Sequence, residues 1–389
     1  MRLNALDGLR GIAALAVVGY HLLLASPSIA DGNGYPIPGT PRWWIEFSPL
    51  KIFTAGPEAV LVFFVLSGLV LVLPVVRRPG FDWLGYFPRR ALRLGLPVVA
   101  SIVFAAALIL VHPQTVGPQV SSWVGSSSVP NLSLGLFVQS LDVLAAYNLL
   151  NNPLWTLRWE LIFSLALPIY VYIAVRASRH WVLCAVATFL LVVLGAYTGS
   201  SYLQVLPLFF AGAVIAVHLD AVRAWAQSRQ ATVLHQLAWG ALLLGGLMLL
   251  ISPRLLAGVI GGQPELTSLT SGLTMVGAVV VVLGSFLWRP AAAALTIAPS
   301  HWLGRVSFSL YLVHVPILIA VANVIGPGGA QWVAIIAITL PLSLVVAELF
   351  YRFVEMPAHR LSKRVGANAS ALFAAKTPAP PTEQSPAQS

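Results

Sequence analysis

Ten long apolar stretches constrain this chain more than any other feature of its sequence. A helix of about 20 residues crosses the roughly 30 Å hydrocarbon core of a bilayer and satisfies every backbone N–H and C=O group internally. The sequence therefore predicts an all-α, polytopic integral membrane protein with about ten transmembrane helices. The predicted spans are residues 9–25, 57–76, 94–112, 154–175, 181–198, 203–219, 236–252, 268–287, 306–325 and 332–354.

The composition excludes a water-soluble fold. Of the 389 residues, 58% are hydrophobic and only 9% are charged, whereas about a quarter of an ordinary soluble domain is charged. The net charge of +10 does not indicate a nucleic-acid partner, because the basic residues form short clusters between apolar runs and no long basic face. Cys184 is the single cysteine, so no cysteine-based metal site is available and no metal is predicted.

The placement of the basic residues predicts the orientation of the helices. With a cytoplasmic N-terminus, the cytoplasmic segments hold all of the 22 Lys and Arg residues except Arg42, Lys51, Arg158 and Arg254. This is the bias of the positive-inside rule, so we expect a multi-pass protein of the plasma membrane with both termini cytoplasmic. Residues 1–365 are predicted to form one transmembrane domain, and residues 366–389, poor in large apolar side chains, a disordered cytoplasmic tail.

The first span carries Arg10 and His21, and an ionisable side chain inside a membrane helix is costly unless it is partnered or faces water. The two residues are eleven positions apart. That spacing is about three helical turns, or roughly 16 Å along the axis, so both side chains point to one side. The alternative makes Arg10 an anchor at the inner interface and His21 an interfacial residue at the outer end.

The fourth span carries Arg158 and Glu160 near its outer end. Helical rise places Glu160 about 9 Å inside the membrane and His21 about 12 Å from the outer face. We therefore expect a carboxylate and an imidazole at matching depth, where they can meet. The alternative is that Arg158 and Glu160 make structural pairs with other helices.

Three further polar residues lie inside predicted spans. Ser67 precedes Gly68, a pair that indicates either a hydroxyl of the site or close helix packing. Tyr311 and His314 are spaced i, i+3 in the ninth span and therefore share one helix face. They either line the same cavity or form hydrogen bonds across helices.

Positive charge is dense between the second and third spans, where the chain reads Phe87-Pro88-Arg89-Arg90-Ala91-Leu92-Arg93. If this segment is helical, Arg90 and Arg93 are one turn apart. Two planar guanidinium groups at that spacing are suited to gripping phosphates. Binding of anionic lipid headgroups is the alternative.

Six pieces of the sequence resemble the acyltransferase 3 family of integral membrane enzymes. They occur in the family's order over residues 3–360. The pieces are Leu6-Asp7-Gly8-Leu9-Arg10-Gly11 with His21, Phe63-Phe64-Val65-Leu66-Ser67-Gly68, Arg90 with Arg93, Trp155-Thr156-Leu157 with Glu160, Ser309-Leu310-Tyr311-Leu312-Val313-His314, and Glu355 with Pro357.

The resemblance implies transfer of an acyl group, usually acetyl, from acetyl-CoA or another cytoplasmic acyl-CoA. The acceptor would be a hydroxyl of a sugar-containing molecule in or near the membrane lipids, such as a cell-envelope polysaccharide, a glycolipid or a glycosylated metabolite. The CoA phosphates would bind Arg90, Arg93 and Arg10. His21 would act as general base or carry the acyl group transiently, with Glu160 orienting its ring. The substrate-binding residues would be Ser67, Arg158, Tyr311 and His314.

Two other functions fit the same polar residues. A transporter or flippase for a lipid-linked glycan also needs polar groups at mid-depth, although the sequence shows no inverted pair of broken helices. The second is a membrane sensor that has the same fold but no enzymatic activity. The joint presence of Arg10, His21 and Glu160 argues against it.

Overall fold

The structure is a computed structural model that describes residues 4–32, 36–114, 120–145, 150–229, 232–260, 264–327 and 331–374. Ten helices in these ranges are long and apolar enough to cross a membrane, and no strand occurs in them, which confirms the all-α class and the predicted number of spans. The helices are α1 (Asn4–Leu23), α2 (Gly56–Arg77), α3 (Trp83–Val111), α4 (Trp155–Arg176), α5 (Trp181–Thr198), α6 (Ser201–Gln227), α7 (Val233–Leu250), α8 (Pro264–Leu287), α9 (Ala298–Ile325) and α10 (Gln331–Phe350).

Three helices extend well beyond the predicted spans on the face that carries the α2–α3 connection, here called the inner face. α3 begins at Trp83 because Asp82 Oδ1 accepts a hydrogen bond from the backbone N–H of Gly85 at 2.9 Å and caps the first turn. α6 runs on to Gln227, and α9 begins at Ala298. Hydropathy detects only the part of a helix that lipid surrounds, so these polar turns escape it. The segment with Arg90 and Arg93 is therefore helical.

α1 packs between α2 and α9, and glycine sets how closely it approaches α9. A Cβ on Gly11 would lie 2.5 Å from the backbone nitrogen of Gly304, so the two backbones touch at this point and a larger residue does not fit. The close contact brings the polar residues of α1 beside those of α9.

Gly68 has the same role between α2 and α6. A Cβ there would lie 2.1 Å from the carbonyl oxygen of Phe209. The packing interpretation is thus confirmed for Gly68, while the neighbouring Ser67 lines a cavity described below.

The chain after α10 differs from the predicted tail. A π-helical turn, Tyr351–Glu355, leads into a further helix, α11 (Met356–Ala374), so residues 366–374 are helical where the sequence predicted disorder. Alanine is the best helix former, and small residues allow α11 to lie against α3. Ser370 Oγ donates a hydrogen bond to Asp82 Oδ2 at 2.7 Å, which fastens this segment. Residues 375–389 lie outside the described part of the chain.

Candidate active site

A cavity of about 440 Å³, here called the inner cavity, lies among α1, α2, α3, α4 and α9 and reaches the inner ends of α1, α3 and α9. Residues of the turn after α10 also line it. Six of the nine site residues predicted from the sequence are brought together in its lining: Arg10, Ser67, Arg90, Arg93, Glu160 and Tyr311.

Glu160 is bound to Arg90 and not to His21, which corrects the orienting role expected from the sequence. The Arg90 guanidinium donates from Nη2 to Glu160 Oε1 at 2.5 Å and from Nε to Ser164 Oγ at 3.0 Å. Ser67 Oγ donates to the same carboxylate oxygen at 3.4 Å. Matching depth does not determine lateral position. The first turns of α3 place the Arg90 guanidinium against the Glu160 carboxylate, while the imidazole of His21 contacts His314.

Two other arginines of the cavity, Arg10 and Arg93, make fewer contacts than Arg90. Arg10 makes a long ion pair of 3.6 Å with Asp7, one helical turn away. Arg93 is exposed to the cavity and makes no side-chain hydrogen bond or ion pair within the described chain. Its guanidinium is therefore available to an anion that enters the cavity.

His21 and His314 form a pair beyond the inner cavity. Nε2 of His314 lies 3.1 Å from Nδ1 of His21, with the ring centroids 5.0 Å apart. His314 is only 1% exposed. The ring of Trp123, from the short outer helix Ser122–Ser127, lies 5.4 Å from the ring of His21. Of the two interpretations of His314, the hydrogen bond across helices is the one observed.

Two backbone carbonyl groups determine how the neutral pair holds its protons. Nδ1 of His21 is 3.0 Å from the carbonyl oxygen of Val17, and Nδ1 of His314 is 3.0 Å from that of Leu310. A carbonyl oxygen only accepts, so we assign a proton to each Nδ1. The one proton on Nδ1 of His21 is then shared between two acceptors, the carbonyl oxygen of Val17 and Nε2 of His314. This arrangement leaves Nε2 of His21 with a free lone pair.

Tyr311 lies between the inner cavity and the histidine pair. Its ring lines the cavity and its centroid is 5.9 Å from that of His314. The hydroxyl donates to the carbonyl oxygen of Pro153 at 2.8 Å and shares a hydrogen bond of 2.7 Å with Thr156 Oγ1. Tyr311 therefore joins the start of α4 to α9 beside the pair.

Arg158 lies apart from the other predicted residues. It lines a second cavity of about 550 Å³, here called the outer cavity, and it does not line the inner one. One face of α4 carries Leu157 and Glu160 to the inner cavity, and the next face carries Arg158 and Trp159 to the outer cavity. Arg158 pairs with another helix, which is the alternative that the sequence left open: its Nη2 donates to Tyr202 Oη of α6 at 2.7 Å.

A family model described as an acyltransferase domain matches residues 3–352. The chain belongs to this acyltransferase family. A relative, acyltransferase MdmB of Streptomyces mycarofaciens, is 30% identical over 188 residues, which cover 46% of this chain and 43% of the relative. The match thus spans less than half of the relative's length. No solved structure matches the chain. Family membership confirms the resemblance drawn from the sequence.

Three residues near the acyltransferase site had no assigned role in the sequence. Ser164 follows Glu160 by one turn, a spacing that signals a shared partner. Glu355, previously only part of a motif, lines the inner cavity and accepts a hydrogen bond from Ser309 Oγ at 2.6 Å. The sequence around Trp123 does not indicate a contact with His21, because the two residues are brought together only by the tertiary fold. In the described ranges, no group of three or more His, Cys, Asp or Glu side chains is placed to hold a metal ion.

Proposed function

We propose that this protein is an O-acyltransferase that moves an acyl group, acetyl in the first instance, from acyl-CoA to a hydroxyl of a sugar-containing acceptor. We further propose that it does so in the plasma membrane, with both termini cytoplasmic and the donor entering from that side. The observation that carries the proposal is the sequence of groups inward from the inner face: a guanidinium-lined cavity, then Tyr311, then the pair of His314 and His21.

The inner cavity suits a donor with several phosphates. Arg10, Arg90 and Arg93 all line it, and guanidinium groups bind phosphate oxygens through planar, multi-donor contacts. Arg93 is the primary anchor, because its side chain makes no hydrogen bond or close ion pair with the described residues. Arg90 is shared with Glu160 and contributes less charge to a bound anion.

His21 Nε2 is the proposed base. The acceptor oxygen attacks the thioester carbonyl carbon while His21 Nε2 takes the hydroxyl proton, and the carbon–sulfur bond then breaks. The CoA thiolate leaves and receives that proton from the imidazolium, so the products are an ester and free CoA thiol. In the nucleophilic variant, the same lone pair attacks the thioester carbonyl carbon, the carbon–sulfur bond breaks and the CoA thiolate leaves. The acceptor hydroxyl then attacks the acyl group on the ring, the carbon–nitrogen bond breaks, and the hydroxyl proton passes to the thiolate.

Transfer of label from radioactive acetyl-CoA tests the proposal in membranes that contain the protein and its native acceptor. His21→Ala should abolish incorporation while expression and membrane insertion stay normal. The matched control is His180→Ala, since His180 is exposed in the connection between α4 and α5. Near-normal incorporation by the His21→Ala variant refutes the proposal. Label that remains on CoA with the unaltered protein favours the flippase instead.

A further inference from the structure

The outer cavity is lined by polar and aromatic side chains that have no role in binding the acyl donor. Residues from α2, α4, α5, α6 and α8 line it, together with Pro253 of the short helix Ser252–Ile260. Helices α2 and α4 separate it from the inner cavity, and Phe64 is the residue whose side chain lines both. Its polar and aromatic lining consists mainly of Glu58, Trp155, Arg158, Trp159, Ser201 and Gln204.

Glu58 brings an unused acceptor to this cavity. The residue is only 8% exposed, and its Oε2 atom has no hydrogen-bond partner in the described structure. Its charge is nevertheless balanced nearby: burial lowers the pKa of Lys51, and the charge of Glu58 opposes that shift. A buried oxygen without a partner costs stability unless a ligand supplies a donor.

Arg158 brings an unused donor to the same cavity. Its guanidinium lies 5.2 Å from the ring centroid of Trp159 and 5.5 Å from that of Tyr202, and it donates to the Tyr202 hydroxyl. These contacts stabilise the guanidinium and leave its charge in place. Its buried Nε atom still lacks a hydrogen-bond partner among the described residues.

Two lining side chains of opposite charge therefore each carry an atom without a hydrogen-bond partner among the described residues: an acceptor on Glu58 and a donor on Arg158. A hydroxyl group donates and accepts at once, so a ligand with several hydroxyls satisfies Glu58 and Arg158 together. Trp155, 38% exposed, adds an indole face on which the C–H surface of a saturated ring can pack. An ion gains little here, since the charges of Glu58 and Arg158 sum to zero.

We propose that the outer cavity binds a neutral, polyhydroxylated ring of the glycoside type. As a binding site, it stands on its own contacts.

Binding of methyl β-maltoside to the protein in lipid nanodiscs tests this site without any turnover. We expect saturable binding by calorimetry, weakened about tenfold or more in Glu58→Gln and in Arg158→Gln. Glu46→Gln is the matched control and should bind normally, because Glu46 pairs with Arg42 in the outer helix Pro41–Phe47 and does not line the cavity.

Each outcome decides the question. Equal affinity in all variants, no saturable binding, or binding of phosphocholine in place of the maltoside overturns the proposal. Retained CoA binding shows that a variant is folded; where Glu58→Gln fails this check, Trp155→Ala replaces it and should also bind the maltoside more weakly. If the protein binds the maltoside but transfers no acetyl group, the proposed binding site is supported and only the proposed enzymatic function is refuted.

Discussion

Nε2 of His314 is the acceptor that holds Nδ1–H of His21, across a distance of 3.1 Å between α9 and α1. Together with the carbonyl oxygen of Val17, the contact holds the ring of His21 in the tautomer with a free Nε2, and it joins two residues that are 293 positions apart in the sequence. In the proposed mechanism, His314 would do for His21 what a carboxylate does in a hydrolytic triad, without adding a negative charge to the membrane interior.

Removal of His314 should slow transfer without weakening donor binding. A correctly oriented base contributes roughly 10²–10⁴-fold to a rate, so we expect His314→Ala to lower the maximal rate of label incorporation about 10²-fold. The acetyl-CoA concentration at half-maximal rate should stay unchanged, because the ring does not line the inner cavity. Rates in membranes at graded acetyl-CoA concentrations measure both quantities.

The conservative variant separates orientation from packing. His314→Gln keeps a side-chain oxygen that can accept from Nδ1–H of His21, so it should regain part of the rate that His314→Ala loses. Equal losses in the two variants, or a changed half-maximal concentration, would contradict a positioning role for His314.

Hydropathy and charge placement were enough to predict the class of fold, because lipid allows few ways to satisfy a backbone. The same reasoning located Arg90 and Arg93 one turn apart and predicted that Tyr311 and His314 share a face. Depth along a helix follows from residue number alone, and this is why most of the predicted residues fall within one part of the molecule.

Lateral position is what the sequence could not supply. Glu160 and His21 lie at similar depth. Because of the rotation and the neighbours of each helix, however, Glu160 contacts Arg90 and His21 contacts His314. The same limit applies to Arg158, whose side chain points from a neighbouring face of α4 and therefore lines a different cavity. Side-chain partners of this kind depend on helix packing, which residue spacing within one span does not encode.

Arg93 should contribute more to CoA affinity than any cavity arginine that already has a partner. A hydrogen bond to a charged group is worth about 1.5–3 kcal/mol, so we expect Arg93→Ala to weaken CoA binding roughly 10–100-fold. Arg93→Lys keeps the charge and loses the planar fork, so it should bind CoA with intermediate affinity. Calorimetry with CoA and the purified protein measures the effect.

The control for Arg93 is a second arginine near the inner face. Arg352 pairs with Glu348, its side chain is 62% exposed, and it does not line the inner cavity. Arg352→Ala should therefore leave CoA affinity unchanged. A comparable loss in both variants would show that general positive charge, and not the cavity, attracts the donor.

The Arg90–Glu160 pair predicts opposite effects on stability and on donor binding. Glu160→Gln leaves a mostly buried guanidinium without its anion. Removing one partner of a buried pair costs about 3–5 kcal/mol, which partial exposure of the two side chains (10% and 24%) reduces to roughly 1–3 kcal/mol. The melting temperature should fall, while CoA affinity should rise because Arg90 becomes free for phosphate.

The double variant Arg90→Gln/Glu160→Gln should recover most of the lost melting temperature, since it leaves no unpaired charge. Weaker CoA binding in Glu160→Gln, together with a loss of transfer as complete as in His21→Ala, would contradict the pairing and restore the orienting role that the sequence suggested for Glu160.

The contact of Gly11 with Gly304 makes the geometry of the histidine pair depend on two glycines near the inner ends of α1 and α9. A methyl group on Gly11 would meet the backbone nitrogen of Gly304 at 2.5 Å, so Gly11→Ala must push α1 away from α9 and lengthen the contact of His21 with His314. We expect a lower melting temperature and a rate near that of His314→Ala.

Gly95→Ala is the matched control: Gly95 lies within α3 and a Cβ there would meet nothing within 4 Å, so it should leave both quantities unchanged or raise stability by about 0.5–1 kcal/mol. Normal transfer by Gly11→Ala would mean that the spacing of the two helices does not set the catalytic geometry.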